Sequence, residues 1–250
     1  MYKVKNYSII LPTLNEAGHI KILINQIKKI FNKKKIKHEI LIIDDNSNDG
    51  TIQIVKKLSK NNKNIKIFVR RNKTKSLVES LKEGIQKSKN NFIIWMDADF
   101  SHPPEKIKNF IIQNKKKDYD AIIFSRFLKK SIRYYQKENL SPKMIDNLSY
   151  ILNKMCMILI SKKFTDYTSG YICIKKEIVK NINISGYYGD YFIGLLFKLF
   201  KDKRKTIELP YKEKDRATGF SKTTGNKINL IIKCYYYLYA ILKCVIKKLI

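Results

Sequence analysis

Acidic residues are scarce in this chain. Against 52 Lys and Arg there are only 21 Asp and Glu, and the formal net charge over 250 residues is +31. Arginine is scarcer still, since 46 of the 52 cations are lysine and 6 are arginine. That shortage argues against a reader of nucleic acid, which needs the bidentate fork of arginine for bases and phosphates. No nucleic-acid partner is expected; the excess charge reads mainly as a lysine-rich background, with a residual pull toward anionic surfaces and phosphate-bearing substrates. The four cysteines, Cys156, Cys173, Cys234 and Cys244, form no CxxC pair and no metal spacing, which excludes a disulfide scaffold or zinc module and fits a reduced, cytoplasmic chain. Long apolar runs are missing as well. The start, MYKVKNYSIILPTLNE, has too short an apolar core for a signal peptide, and no stretch reaches the ~20 uninterrupted apolar residues of a membrane span. No internal repeat is present.

What the chain does have is a regular alternation of short apolar runs and helical patterns, with enough length for a substantial core. Strands are expected at Tyr7–Leu11, Glu39–Ile43, Ile65–Val69, Phe92–Met96, Ala121–Phe124, Tyr171–Ile174 and Thr206–Leu209. Helices are expected from the Pro12–Glu16 turn to about Phe31, then over Thr51–Lys60, Thr74–Lys87, Glu105–Asn114, Met144–Ile160, from Gly189-Asp190 to about Phe200, and over Asn226–Ile250. Strands that are apolar throughout and separated by helices argue for an α/β fold with a mostly parallel sheet covered on both faces. Leu128–Ser141 and Tyr211–Gly225 read as polar, charged loops.

Carboxylates sit where such a sheet places its site, outside the carboxyl ends of the strands: Glu16, Asp44 and Asp45, and Asp97 and Asp99. The most informative stretch is NFIIWMDADFSHPPE, residues 91–105. There a buried strand delivers Asp97 and Asp99 around a small Ala98, followed by Ser101, His102 and a proline pair that opens a helix. So many carboxylates at one edge repel each other unless cations lie between them. Asp97 and Asp99 are therefore expected to hold Mg2+ or Mn2+ against a diphosphate. The cationic counterweight comes from Arg126, at another strand end, and from Arg216 and Lys222 in the loop RATGFSK, placed to neutralise charge on a departing diphosphate.

These motifs resemble, in order, those of family 2 glycosyltransferases of the GT-A fold, and within them the dolichol-phosphate (polyprenol-phosphate) mannosyltransferases. LPTLNE (11–16), IDDNSNDGT (43–51), MDADFSHPPE (96–105), SRF (125–127), DYTSGY (166–171) and DRATGFSK (215–222) carry the resemblance over roughly residues 7–225. It departs from the family at Leu14, where the family has tyrosine, and at Lys75–Val78, where the family has glycines.

The resemblance implies a Rossmann-like GT-A domain over residues 1–225, with a nucleotide-binding half at 1–98 and an acceptor half at 99–225, and a C-terminal helix at 226–250 that can lie at a membrane surface. It implies that Pro12, Leu14, Glu16, Ile43 and Asp45 cradle the nucleoside of a sugar nucleotide. Asp97, Ala98, Asp99 and Ser101 would surround metal and diphosphate. Arg126, Arg216 and Lys222 would bind donor or acceptor phosphates, with Asp99, Arg126 and Arg216 as the catalytic set. The implied donor is GDP-mannose, with a UDP-sugar as the other possibility. The implied acceptor is a polyprenyl phosphate, the outcome inversion, and the place the cytosolic face of a membrane with an anionic surface. A phosphate acceptor is already anionic and needs no strong base. The alternative, a saccharide hydroxyl acceptor, needs one; Asp190 is the candidate, and its rival role is a helix N-cap.

Overall fold

A computed structural model describes residues 5–71, 73–128, 142–212 and 227–250, with side chains from 148 and from 230 onward in the last two segments. The loops expected at 128–141 and 211–225 fall mostly outside the described residues, and with them Arg216 and Lys222. Strands β1 (Tyr7–Thr13), β2 (His38–Asp44), β3 (Ile65–Val69), β4 (Phe92–Trp95), β5 (Ala121–Ser125), β6 (Ile172–Lys175) and β7 (Thr206–Pro210) form one sheet in the order β3-β2-β1-β4-β6-β5-β7. The helices are α1 (Ile20–Lys33), α2 (Thr51–Lys60), α3 (Leu77–Lys87), α4 (Ile107–Lys116), α5 (Pro142–Leu159), α6 (Lys176–Lys180), α7 (Tyr191–Lys201) and α8 (Lys227–Leu249), with one 3-10 turn at Pro104–Lys106 ahead of α4.

Alternation explains how continuously apolar strands serve two cores, because successive side chains point to opposite faces. Ile9 and Leu11, Ile40 and Ile42, and Phe92 and Ile94 pack on one face with residues of α1 and α4, including Leu23, Ile27 and Phe110. Ile10, Leu41, Ile43, Ile93 and Trp95 pack on the other with residues of α3, α5, α7 and α8. Each fully buried isoleucine or leucine contributes about 1.5–3 kcal/mol relative to exposure.

The expected helix over Thr74–Lys87 begins instead at Leu77, because the Ser76 side chain caps it by accepting the Glu79 amide at 3.3 Å. On that helix Gly84 lies so close to β1 that a Cβ there would stand 2.5 Å from Ile10 Cγ2. The one glycine of α3 thus supplies close helix-sheet approach without the glycine-rich stretch of the family pattern.

One strand departs from the parallel rule. β6 runs antiparallel to both β4 and β5, with Trp95 opposite Ile172 and Ile123 opposite Ile172 on the other side. This reversal decides which loops meet. The chain entering β6, not the chain leaving it, joins the edge where β1, β2, β4 and β5 end.

Candidate active site

The loops after β1 and β2 are knitted by side chains onto main chain. Asp44, fully buried at the end of β2, accepts from Thr13 Oγ1 (2.7 Å), Ser47 Oγ (2.7 Å) and the Ser47 amide (2.7 Å). Asn15, in the left-handed region at φ 58°, donates its amide to Ser47 Oγ at 2.8 Å, while its Oδ1 accepts the Asn48 amide at 3.0 Å. The Glu16 amide donates to Thr51 Oγ1 at 2.8 Å, and the Ala17 amide to Asp49 Oδ2 at 2.9 Å. Burial works to raise the Asp49 pKa, but these amide bonds and that of the Thr51 hydroxyl outweigh it and hold the carboxyl below its ordinary value.

Within this frame Pro12, Leu14 and Glu16 are half-buried, and a Glu16 carboxylate oxygen stands 2.6 Å from His19 Nε2. The Ile43 side chain is fully buried in the core with Leu41 and Val78, because alternation turns it to the α3 face of the sheet, so its main chain is what it can offer a nucleoside. Asp45 carries a further surprise. One oxygen pairs with Arg70 and the other accepts the Ser76 amide at 2.9 Å. Arg70 is itself buried, and also donates to the carbonyls of Ser76 (3.1 Å) and Thr74 (3.3 Å). Sequence reasoning passed over Arg70. Its signal was present: a rare arginine one residue beyond the end of β3, on the same sheet edge as the acidic loops.

At the end of β4, Asp99 Oδ1 accepts both the Ser101 amide (3.0 Å) and the Ser101 hydroxyl (2.6 Å). This Asx turn carries Phe100 into the left-handed region, φ 68°. Asp97 is half-buried beside it, while Ala98 is buried in the core with Met96. His102, the other residue missed, fixes this loop from behind. Its Nδ1 accepts the Asp97 amide at 2.9 Å, so its Nε2 carries the proton and donates to the Ser169 carbonyl at 3.0 Å. The ring stacks on Tyr171, centroids 4.8 Å apart. His102 thereby ties the acidic loop after β4 to the loop before β6.

That second loop holds the cation. Asp166, fully buried, receives Arg126 as a fork: Nε to Oδ2 and Nη2 to Oδ1, both at 2.8 Å, with the Arg126 amide on Oδ2 at 2.9 Å. Thr168 Oγ1 accepts from Arg126 Nη2 at 2.7 Å. Burial pushes the Asp166 pKa up, but the Arg126 charge and hydrogen bonds prevail and hold it below its ordinary value. Beneath it Glu208 of β7 accepts the amides of Thr165 (2.9 Å) and Asp166 (3.2 Å). Burial, helped by the Asp166 charge, raises the Glu208 carboxyl to about 7.

Asp190, the candidate base, stands at the start of α7 with both oxygens turned back. They accept the Tyr187 amide (3.1 and 3.3 Å) and the Tyr188 amide (2.6 Å). The side chain makes no forward cap bond to α7 and clasps the preceding turn in place of capping the helix. The structure thus brings Glu16, Asp45, Asp97, Asp99, Ser101 and Arg126 to one edge of the sheet.

This arrangement has relatives. The sequence model of glycosyl transferase family 2 matches residues 8–182. The chain is 28% identical to the dolichol-phosphate mannosyltransferase of Pyrococcus furiosus, over 92% of this chain and 63% of that protein. It is 26% identical to the undecaprenyl-phosphate 4-deoxy-4-formamido-L-arabinose transferase of Pectobacterium atrosepticum, over 91% of this chain and 66% of that protein. The chain therefore spans about two thirds of the length of these two relatives.

Among solved structures, glucosyl-3-phosphoglycerate synthase of Mycobacterium tuberculosis, in complex with Mn2+, UDP and phosphoglyceric acid, superposes with a TM-score of 0.70 at 15% identity, covering 96% of this chain and 78% of that one. Mannosyl-3-phosphoglycerate synthase of Rubrobacter xylanophilus gives 0.63 at 14%, covering 98% and 74%. These likenesses confirm the GT-A fold. With the family model matching the larger part of its length, the chain belongs to glycosyl transferase family 2.

Proposed function

We propose that the protein transfers a hexose from a nucleoside diphosphate sugar to a polyprenyl phosphate at a membrane surface, with inversion at the sugar carbon, and that GDP-mannose is the first donor to test. One juxtaposition carries this reading: the acidic loop of Asp97 and Asp99 and the cation Arg126 share one edge, while the Asp190 carboxylate is turned back onto two main-chain amides. An anionic acceptor dispenses with the base that a hydroxyl acceptor requires. Both relatives named above act, by their names, on polyprenyl-type phosphates.

The donor set suits a hard divalent cation. Two carboxylates and a hydroxyl, those of Asp97, Asp99 and Ser101, offer only oxygen. That is the pattern for Mg2+ or Mn2+ completing its shell with substrate phosphates. Asp97, Asp99 and Ser101 would hold it, and the ion would supply charge stabilisation to the leaving diphosphate. The chain's own part is positioning. Asp44 fixes the nucleoside-side loops, His102 sets the Asp97 main chain, and the Asp166 fork aims Arg126. Arg216 and Lys222 would add positive charge on the phosphates.

The membrane enters through α8. Ile231, Tyr235, Leu238, Leu242, Ile246 and Leu249 recur at helical spacing and are all 47% or more exposed. No helix among the described residues is long and apolar enough to cross a membrane. A stripe of this kind, with Lys243, Lys247 and Lys248 alongside, suits an interfacial helix on an anionic, cytosolic leaflet. Incubation of the protein with radiolabelled sugar nucleotides, polyprenyl phosphate and Mn2+ tests the reading. Absence of lipid-linked product from every donor would overturn it.

A further inference from the structure

Helix α8 has a second face. Lys233, Tyr237, Ile241 and Cys244 form its inward ridge, with Lys233, Ile241 and Cys244 buried and Tyr237 half-buried. This ridge packs on α7 and on the turn that precedes it. Tyr236 stacks on Tyr187 with centroids 4.1 Å apart, and Lys233 Nζ lies 5.0 Å above the Tyr188 ring. The turn, Gly186–Asp190, has a glycine at each end for two different reasons. A Cβ at 186 would meet the Asp190 carboxylate at 2.7 Å. A Cβ at 189 would meet the Tyr237 hydroxyl at 2.4 Å, while the ring carbon behind it stays at 3.5 Å. Gly189 is not in the left-handed region, so its backbone does not demand glycine. The missing side chain is a notch, and what fills it is the phenol oxygen.

We infer that Tyr237 is an acceptor-side residue of the active site, its hydroxyl carried through the Gly189 notch to donate a hydrogen bond to the phosphate of the acceptor. This assignment rests on the lipid-phosphate reading above. Among the described residues the hydroxyl makes no hydrogen bond, although the ring is seated against α7. A phenylalanine would pack the same ring without bringing a polar group into a half-buried place. The surroundings are those of the site: two residues beyond Gly189 the Tyr191 hydroxyl accepts Trp95 Nε1 at 3.2 Å at the end of β4, and it lies 3.6 Å from where a Cβ of Gly170 would stand in the loop before β6, beside His102. The phenol's pKa is pushed up by burial first, then by the charges of Asp190, Asp97 and Asp166, with Arg126 pulling the other way. The oxygen therefore shares the electrostatic field of the acidic loop and of the Arg126 fork, and keeps its proton at neutral pH, as a donor must. Because Tyr237 and the exposed stripe occupy opposite faces of one helix, the element that would meet the lipid surface also supplies a group to the lipid's phosphate.

The test uses the full chain with polyprenyl phosphate in mixed micelles, under initial-rate conditions with each substrate varied in turn. Tyr237→Phe should raise KM for the polyprenyl phosphate about tenfold, the loss of one hydrogen bond to a charged group. KM for the sugar nucleotide should stay within twofold and the melting temperature should not change. Gly189→Ala should lower the melting temperature, and adding Tyr237→Phe to it should restore most of the loss, because only the hydroxyl overlaps the new methyl. Wild-type transfer to the lipid phosphate is the control on the function itself; if it is absent, that reading and this one both fall. If wild type is active and Tyr237→Phe leaves the acceptor KM within twofold, or raises both KM values together, the Tyr237 assignment alone is overturned.

Discussion

Replacing Asp166 by asparagine isolates the Arg126 fork with little change in shape. In the wild type the two oxygens of Asp166 take three bonds from Arg126, and the guanidinium side chain is only 9% exposed. Asparagine keeps one oxygen and turns an NH2 toward donors, so a nearly buried cation loses the Asp166 charge and at least one hydrogen bond. Removing one partner of such a pair costs roughly 3–5 kcal/mol, and the remaining amide oxygen places the expected loss near 3 kcal/mol. Domains of ordinary stability survive this, so the variant should fold. With a urea m-value of about 3 kcal/mol/M the midpoint should fall by roughly 1 M.

The loss also has a pH signature. Asp166 titrates below its ordinary 3.8 in the fold, so its stabilisation is complete above that value and disappears as pH falls through the folded pKa. The gap between wild type and variant should be full at pH 7 and close in acid. Sugar transfer at pH 7 should fall about a hundredfold as Arg126 loses its aim, equivalent to roughly 2.7 kcal/mol. A midpoint shift under about 0.2 M with activity preserved would refute the claim that the fork organises the site.

Gly84→Ala should destabilise by about 1–3 kcal/mol in urea titration, since the new methyl overlaps a fully buried Ile10. Glu208 holds its proton up to about pH 7 in the fold against an ordinary 4.5, so its own contribution to stability should be greatest below 4.5 and decline as pH rises to 7. The decline should be at most about 3 kcal/mol, reduced by the solvent that reaches this half-buried residue, and Glu208→Gln should flatten it. Asp97→Asn and Asp99→Asn should abolish the thermal stabilisation that a nucleoside diphosphate and Mn2+ give together, as should EDTA with the wild type. Leu238→Glu with Leu242→Glu should release the protein from anionic vesicles in flotation assays while leaving the melting temperature within a few degrees.

Most strands and helices were legible because their signal is local. Ile65–Val69 and Thr51–Lys60 coincide with expectation residue for residue, bounded as they are by turn formers. The direction of β6 was not legible, since Tyr171–Ile174 has the same composition whichever way it runs. The candidate site divides in the same way. Asp97, Asp99 and Arg126 were found because they end apolar runs. The partners that orient them are distant in sequence: Asp166 lies 40 residues from Arg126, and Arg70 lies 25 from Asp45. Ile43 was singled out only through the family motif, and the inward turn of its side chain follows from alternation across the sheet. Gly189 and Tyr237 each look ordinary alone, and their meaning appears only when α8 is laid over the turn before α7.

The reversed strand also bears on the order in which the site comes into being. β1 to β4, with the acidic loops, are complete by about residue 99. Their neighbour in the sheet is β6, and the loop that anchors His102 and Arg126 arrives just ahead of it, near residue 166. During synthesis the nucleotide side therefore emerges as a near-finished half-sheet whose β4 edge waits for roughly seventy more residues. A ribosome-bound fragment ending near residue 160 should hold β1 to β4 with an open β4 edge and an Arg126 that lacks its Asp166 fork, and the fork should form once β6 docks. The Arg126 fork is thus tied, in chain order, to a single strand insertion.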